Sequence, residues 1–91
     1  MELLKGRFVR SLSGRDKGMI LVVVGVTDDG YLLLADGKTR KLETPKKKKP
    51  KHVTLLEGAP IVVQTADGML TNRRLKRAVR DAEGFFETQK E

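Results

Sequence analysis

Residues 19–42 read MILVVVGVTDDGYLLLADGKTRKL. The run from Met19 to Val26 is apolar and rich in β-branched side chains, which favours a strand. Asp28-Asp29-Gly30 is a hairpin signal, and Tyr31 to Ala35 reads as the returning strand. Asp36-Gly37 is a second hairpin signal, leading into a third strand over Thr39 to Leu42. Three strands joined by short Asp/Gly turns predict an antiparallel meander. Neither Ile20–Val24 nor Leu32–Leu34 alternates apolar with polar, as a strand with one wet face would. Both faces of these strands are therefore expected to be covered. A small barrel buries one face inside, and a later helix or loop covers the other.

Upstream, Gly6 precedes a short strand from Arg7 to Leu12. Ser13-Gly14-Arg15-Asp16-Lys17-Gly18 follows, with two glycines suited to positive φ at a turn. Downstream, residues 44–51 read TPKKKKPK. Pro45 and Pro50 cannot donate ladder hydrogen bonds and like charges repel, so residues 44–52 are expected as an exposed, extended loop. His52 to Leu56 returns as a strand, Glu57-Gly58-Ala59-Pro60 breaks the chain, and Ile61 to Thr65 suits either a strand or a short buried helix. Ala66-Asp67-Gly68 is a turn. The last element is a helix: Leu75, Ala78, Val79 and Ala82 form one apolar stripe, with Thr71 or Asn72 as its cap. Gly84 is the expected stop. The expected layout is a β domain over 1–69, a basic helix over 70–84 docked on it, and a tail over 85–91, from which Phe85 and Phe86 fold back toward the core.

The chain has 91 residues, enough for one domain with a modest core. It has no cysteine and a single histidine, so disulfides, thiolate metal sites and cysteine nucleophiles are excluded. No apolar run approaches the roughly 20 residues of a membrane-spanning helix, and Met1 to Leu12 lacks the pattern of a signal peptide, so a cytoplasmic protein is expected. His52 stands beside lysines, and Asp28-Asp29 occupies a turn where aspartate is common for backbone reasons. Gly14 to Gly18 joins strand to strand and lacks the following helix of a phosphate loop. The expectation is no enzyme, no cofactor, no metal and no small-molecule substrate.

The net charge is +7, and residues 46–80 alone carry +8. The surplus lies in two clusters: Lys46, Lys47, Lys48, Lys49 and Lys51 beside His52, and Arg73, Arg74, Arg77 and Arg80 on the helix. Concentrated basic surfaces are the electrostatic footprint of a polyanion partner. Lysines of the loop suit a phosphate backbone, and arginines add forked donors for phosphate or guanine. Phe8, Tyr31, Phe85 and Phe86 are the only aromatics, few for a single-strand binder that stacks bases. The balance favours backbone and shape recognition of structured RNA or duplex over base stacking. The two clusters are expected to form one RNA-facing surface.

The stretch from Gly6-Arg7-Phe8-Val9-Arg10 through Ser13–Gly18 to Val22-Val23-Val24 resembles the KOW motif, a strand–loop–strand unit of ribosomal proteins and transcription elongation factors. With Ala35–Leu42, Pro45–Lys51 and His52 it is similar to small bacterial KOW-domain RNA-binding proteins, related to the fourteen-e family of large-subunit ribosomal proteins. The resemblance covers roughly residues 3–56, and the ending from Leu70 also looks like the bacterial group; residues 57–69 depart from the ribosomal pattern. It implies an SH3-like antiparallel barrel of about five strands. It also implies RNA contact through Gly14, Arg15, Lys17, Gly18 and the neighbouring basic loops, with ribosomal RNA as the target. KOW domains in elongation factors also bind polymerase or ribosomal proteins, so a protein-interaction module is the alternative.

Overall fold

The structure, a computed structural model, describes residues 4–57 and 70–88. It is mainly β, with one C-terminal helix. Strands β1 (Phe8–Ser11), β2 (Ile20–Val26), β3 (Leu32–Ala35), β4 (Lys46–Lys48) and β5 (Val53–Leu55) form one antiparallel sheet in the order β4-β3-β2-β1-β5. A 3₁₀ turn, Pro50–His52, joins β4 to β5, and α1 spans Asn72–Thr88. The segment Ile61–Thr65, the turn at 66–68 and the last three residues of the expected tail lie outside the described residues. No helix among the described residues is long and apolar enough to cross a membrane.

The third meander strand is not where the hairpin signal put it. The Asp36 carboxylate oxygen Oδ1 accepts from the amides of Lys38 (2.9 Å) and Arg40 (2.8 Å), which ties residues 36–40 into a wide turn. An Asp side chain that satisfies its own following amides competes with ladder pairing. The third strand is instead β4, where Lys46, Lys47 and Lys48 stand opposite Leu34, Leu33 and Leu32. A third of the expected lysine loop is therefore an edge strand.

The non-alternating β2 and β3 are covered on both faces, as their patterning demands. On the outer face Ile20, Val22 and Ala35 pack against Leu75, Val79 and Ala82 of α1. On the inner face Val9, Leu21, Val23, Leu32 and Leu34 pack on one another. The Thr71 hydroxyl caps α1 by accepting from Arg74 N at 3.1 Å, while Asn72 Oδ1 accepts from Leu42 N at 2.8 Å and fastens the helix start to the sheet. Gly37 has φ +79° and lies against that start; a Cβ there would fall inside the shell of Asn72 O and 2.8 Å from Lys76 N. Gly84 does not end the helix. A helical glycine costs about 1 kcal/mol, and Phe86, two residues further on, packs on the outer-face core and carries the helix through. Phe85 is exposed, edge-to-face with Phe86 at 5.1 Å.

Hydrogen-bond ladders leave the sheet open, since β4 and β5 are its two edges. It is nonetheless curled. Four strand spacings of about 4.8 Å would separate the edges of a flat sheet by roughly 19 Å. Five residue steps, from Lys48 to Val53, reach at most roughly 17 Å fully extended, and Pro50–His52 coil within that span. The edges must bend toward each other over the inner-face core, an arrangement consistent with an SH3-like barrel. The register shift between Val23 and Gly25 bends β2 in support.

Candidate nucleic-acid interface

A strand's period of two splits the lysine run. Lys46 and Lys48 stand opposite Leu34 and Leu32, which belong to the inner face, so their side chains start toward the inside. Lys48 is buried, at 7% exposure. Its Nζ donates to Asp16 Oδ1 (2.6 Å), Ser11 Oγ (2.8 Å) and Ser13 O (2.7 Å). All three ammonium protons are thereby used, which is the condition for burying the charge. Asp16 is equally buried, and its Oδ2 has no hydrogen-bond partner among the described residues. Burial pushes the Asp16 carboxyl upward, but the hydrogen bonds from Lys48 and Ser11 and the charges of Lys48 and Lys46 outweigh it and hold it below its ordinary value. Lys48 is therefore not the phosphate contact expected from the sequence. It is a bolt between β4 and the β1–β2 loop.

That bolt brings the two loops together. Gly14 and Gly18 adopt φ +81° and +88°, and the loop is closed by Gly18 N donating to Ser11 O at 2.8 Å. Arg15 and Lys17 project from it, exposed. Next to it, Leu12 N donates to His52 O at 2.8 Å, tying the same loop to the 3₁₀ turn. Lys47, Lys49 and Lys51 are exposed, whereas Lys46 and His52 are half-buried. Lys47 lies 4.6 Å over the ring of Tyr31, with Lys49 at 6.0 Å. Tyr31 is thus neither a core residue nor an open stacking platform; its ring seats two cations. Lys47 also pairs with Asp29 at 3.6 Å, both more than half exposed, a contact worth little in water. The Asp29 carboxyl is held below its ordinary value first by the Thr27 hydroxyl and then by Lys47, so this acid serves the hairpin.

The arginines are presented differently. Arg73, Lys76, Arg77 and Arg80 recur at helical spacing on the side of α1 opposite Leu75, Val79 and Ala82. With Arg74 and Thr71 they line one concave stretch of surface. Lys76 belongs to this strip although the sequence reading did not single it out; its i, i+4 relation to Arg80 was the available signal. No acidic residue lies in the first turn of α1 and no basic one in the last. Of these cations Arg73 and Arg74 stand in the first turn, where the helix dipole disfavours positive charge.

Gly18 of the β1–β2 loop and Met19 beside it line surface clefts with Lys76, Arg80 and Glu83, so that loop borders α1. The lysines stand on β4 and the 3₁₀ turn that follows it, whereas the arginines stand on α1, which rides on the outer face. No protein-family model matches this chain, and no curated protein matches it.

Proposed function

We propose that this chain is a non-catalytic RNA-binding protein of the KOW type, acting in the cytoplasm on ribosomal RNA or an assembling ribosome. Its RNA face consists of Arg15 and Lys17 on the β1–β2 loop and Lys47, Lys49 and Lys51 around Tyr31. The observation that carries this reading is the Lys48 bolt. It fixes two cationic segments, distant in sequence, into one surface whose exposed charges face outward. A fixed cationic surface loses little entropy on meeting a phosphate backbone, and counterion release drives the association.

The test is the salt dependence of RNA binding. Each phosphate contact contributes a slope of about −0.7 to −0.9 in log K against log salt. Replacing Lys47, Lys49 and Lys51 by Gln should flatten the slope by about two to three. An unchanged affinity and slope would remove the lysine face from the reading. The exposed Leu12, Leu55 and Phe85 favour a second reading, a protein-interaction module. It predicts partner binding that is nearly insensitive to salt and sensitive to Leu12→Ser or Leu55→Ser.

A further inference from the structure

We propose that the α1 strip and the β1–β2 loop form one continuous track for the phosphate backbone of a single RNA, so that the RNA face extends from Arg15 and Lys17 along the helix to Arg73. This rests on the RNA-binding reading above. It adds to that reading the helix cations and the cleft that links them to the loop.

Three adjoining concavities, joined by shared residues, mark the course. The first lies at the end of the loop, between Gly18 and Glu83 of α1, with Arg10 on its wall. Arg10 is tied to the loop through Nη1, which donates to Gly18 O at 2.9 Å, and the exposed Lys17 directly precedes Gly18. Glu83 also borders the second concavity, which carries Lys38 and Thr39 on one wall and Lys76 and Arg80 on the other. Lys76 and Arg80 in turn border the third, which runs on past Arg77 and Arg73 to Thr71 at the helix start. From Glu83 to Arg73 the helix covers about 15 Å at 1.5 Å per residue.

The charge along this course is predominantly positive. Seven cationic side chains line the three concavities against two carboxylates, Asp36 and Glu83. Asp36 is buried, with its Oδ1 engaged by the amides of Lys38 and Arg40. Arg73, Lys76, Arg77 and Arg80 are exposed, and none of them forms an ion pair among the described residues. Apolar lining is scant: Ile20 and Val79 are buried and Met19 is half-buried. A row of unpaired cations without exposed apolar side chains suits a polyphosphate chain better than a folded protein, whose interface core is depleted in charge. Arg73 and Arg74 in the first turn point the same way, because the dipole that disfavours them favours a phosphate there.

The test uses one short fluorescent RNA hairpin, titrated at low salt and read by anisotropy. Wild type should bind it. The variant Arg73→Gln/Arg77→Gln/Arg80→Gln should bind more weakly, with the slope of log K against log salt flattened by about two to three. The chain has no cysteine, so Thr39→Cys supplies a single thiol for a benzophenone label in the cleft between loop and helix. On irradiation that label should cross-link to the hairpin, and unlabelled hairpin should compete the product away. If the triple variant fails to fold, the cross-link decides alone. If the triple variant keeps wild-type affinity and slope, or if the hairpin binds and the Thr39 position gives no cross-link, the track is wrong and the RNA reading survives. If wild type leaves the anisotropy unchanged, the RNA reading itself falls, and the track with it.

Discussion

Lys46–Lys49 and Arg73–Arg80 are the two densest cationic stretches of this chain, and backbone geometry treats them in opposite ways. In the strand, alternate side chains leave on opposite faces, so one lysine run yields both a buried bolt, Lys48, and an exposed Lys47. In the helix, the period of 3.6 gathers residues three and four apart on one side, so Arg73, Lys76, Arg77 and Arg80 all stay in solvent. Four adjacent lysines thus carry two different jobs, while four separated cations carry one. A count of basic residues does not measure a binding surface until the period of the backbone beneath it is known.

The sharpest way to break this contrast is to strand the inner lysine. Asp16→Ala leaves the Lys48 ammonium buried without its carboxylate and should cost about 3–5 kcal/mol in denaturant unfolding. Lys47→Met, one residue away but exposed, should change stability by no more than about 0.5 kcal/mol. The pair Asp16→Ala/Lys48→Met should recover most of the loss, since neither charge is then left alone. If Asp16→Ala and Lys47→Met cost the same, Lys48 is no bolt. Next in size is Gly37→Ala. The added Cβ meets helix backbone at Asn72 and Lys76, and φ is +79°, so a loss of about 2–4 kcal/mol is expected, with α1 displaced at its start. Amide hydrogen exchange should show the first turn of α1 opening while β1–β3 remain protected.

Acid distinguishes the two regions as well. The carboxyl of Asp16 is held below its ordinary value in the folded chain, so its contribution is fully present above the unfolded value. That contribution is lost as pH falls through the folded one. The wild type should therefore lose stability below about pH 4 more steeply than Asp16→Ala/Lys48→Met. The helix strip, with no carboxylate in the first turn, should leave that difference unchanged when Arg77 is replaced by Gln.

Much of the scaffold was legible because its signals are local. Ile20–Val24 announces a strand with two covered faces, and the structure supplies the inner core and α1 for them. The stripe Leu75, Val79 and Ala82 announces which side of α1 docks. What the sequence concealed depends on contacts between distant positions. Asp36-Gly37 signals a hairpin, yet the Asp36 carboxylate turns the following amides inward and moves the third strand on to Lys46. Gly84 signals a stop, but the anchor that overrides it, Phe86, lies beyond it. Lys48 and Asp16 are 32 positions apart, and nothing in a run of four lysines says which one a distant acid will claim. The site was legible as a set of charges; the division of the lysine run into a buried bolt and exposed cations was not.

The smallest effect separates what the helix strip does for the fold from what it does for a ligand. Arg73 lies in the first turn of α1, where the dipole presents positive charge. Arg73→Glu should therefore raise stability by about 0.3–1 kcal/mol, read as a higher denaturation midpoint. It should also lower RNA affinity below that of Arg73→Gln, because a repulsive charge replaces an attractive one. Opposite signs in the two measurements would mean that this residue is kept at a cost to the helix, and that the compensation comes from outside the chain. A loss of stability on Arg73→Glu would mean instead that the arginine serves the fold, and the argument from the helix dipole for a phosphate on this side of the molecule would no longer hold.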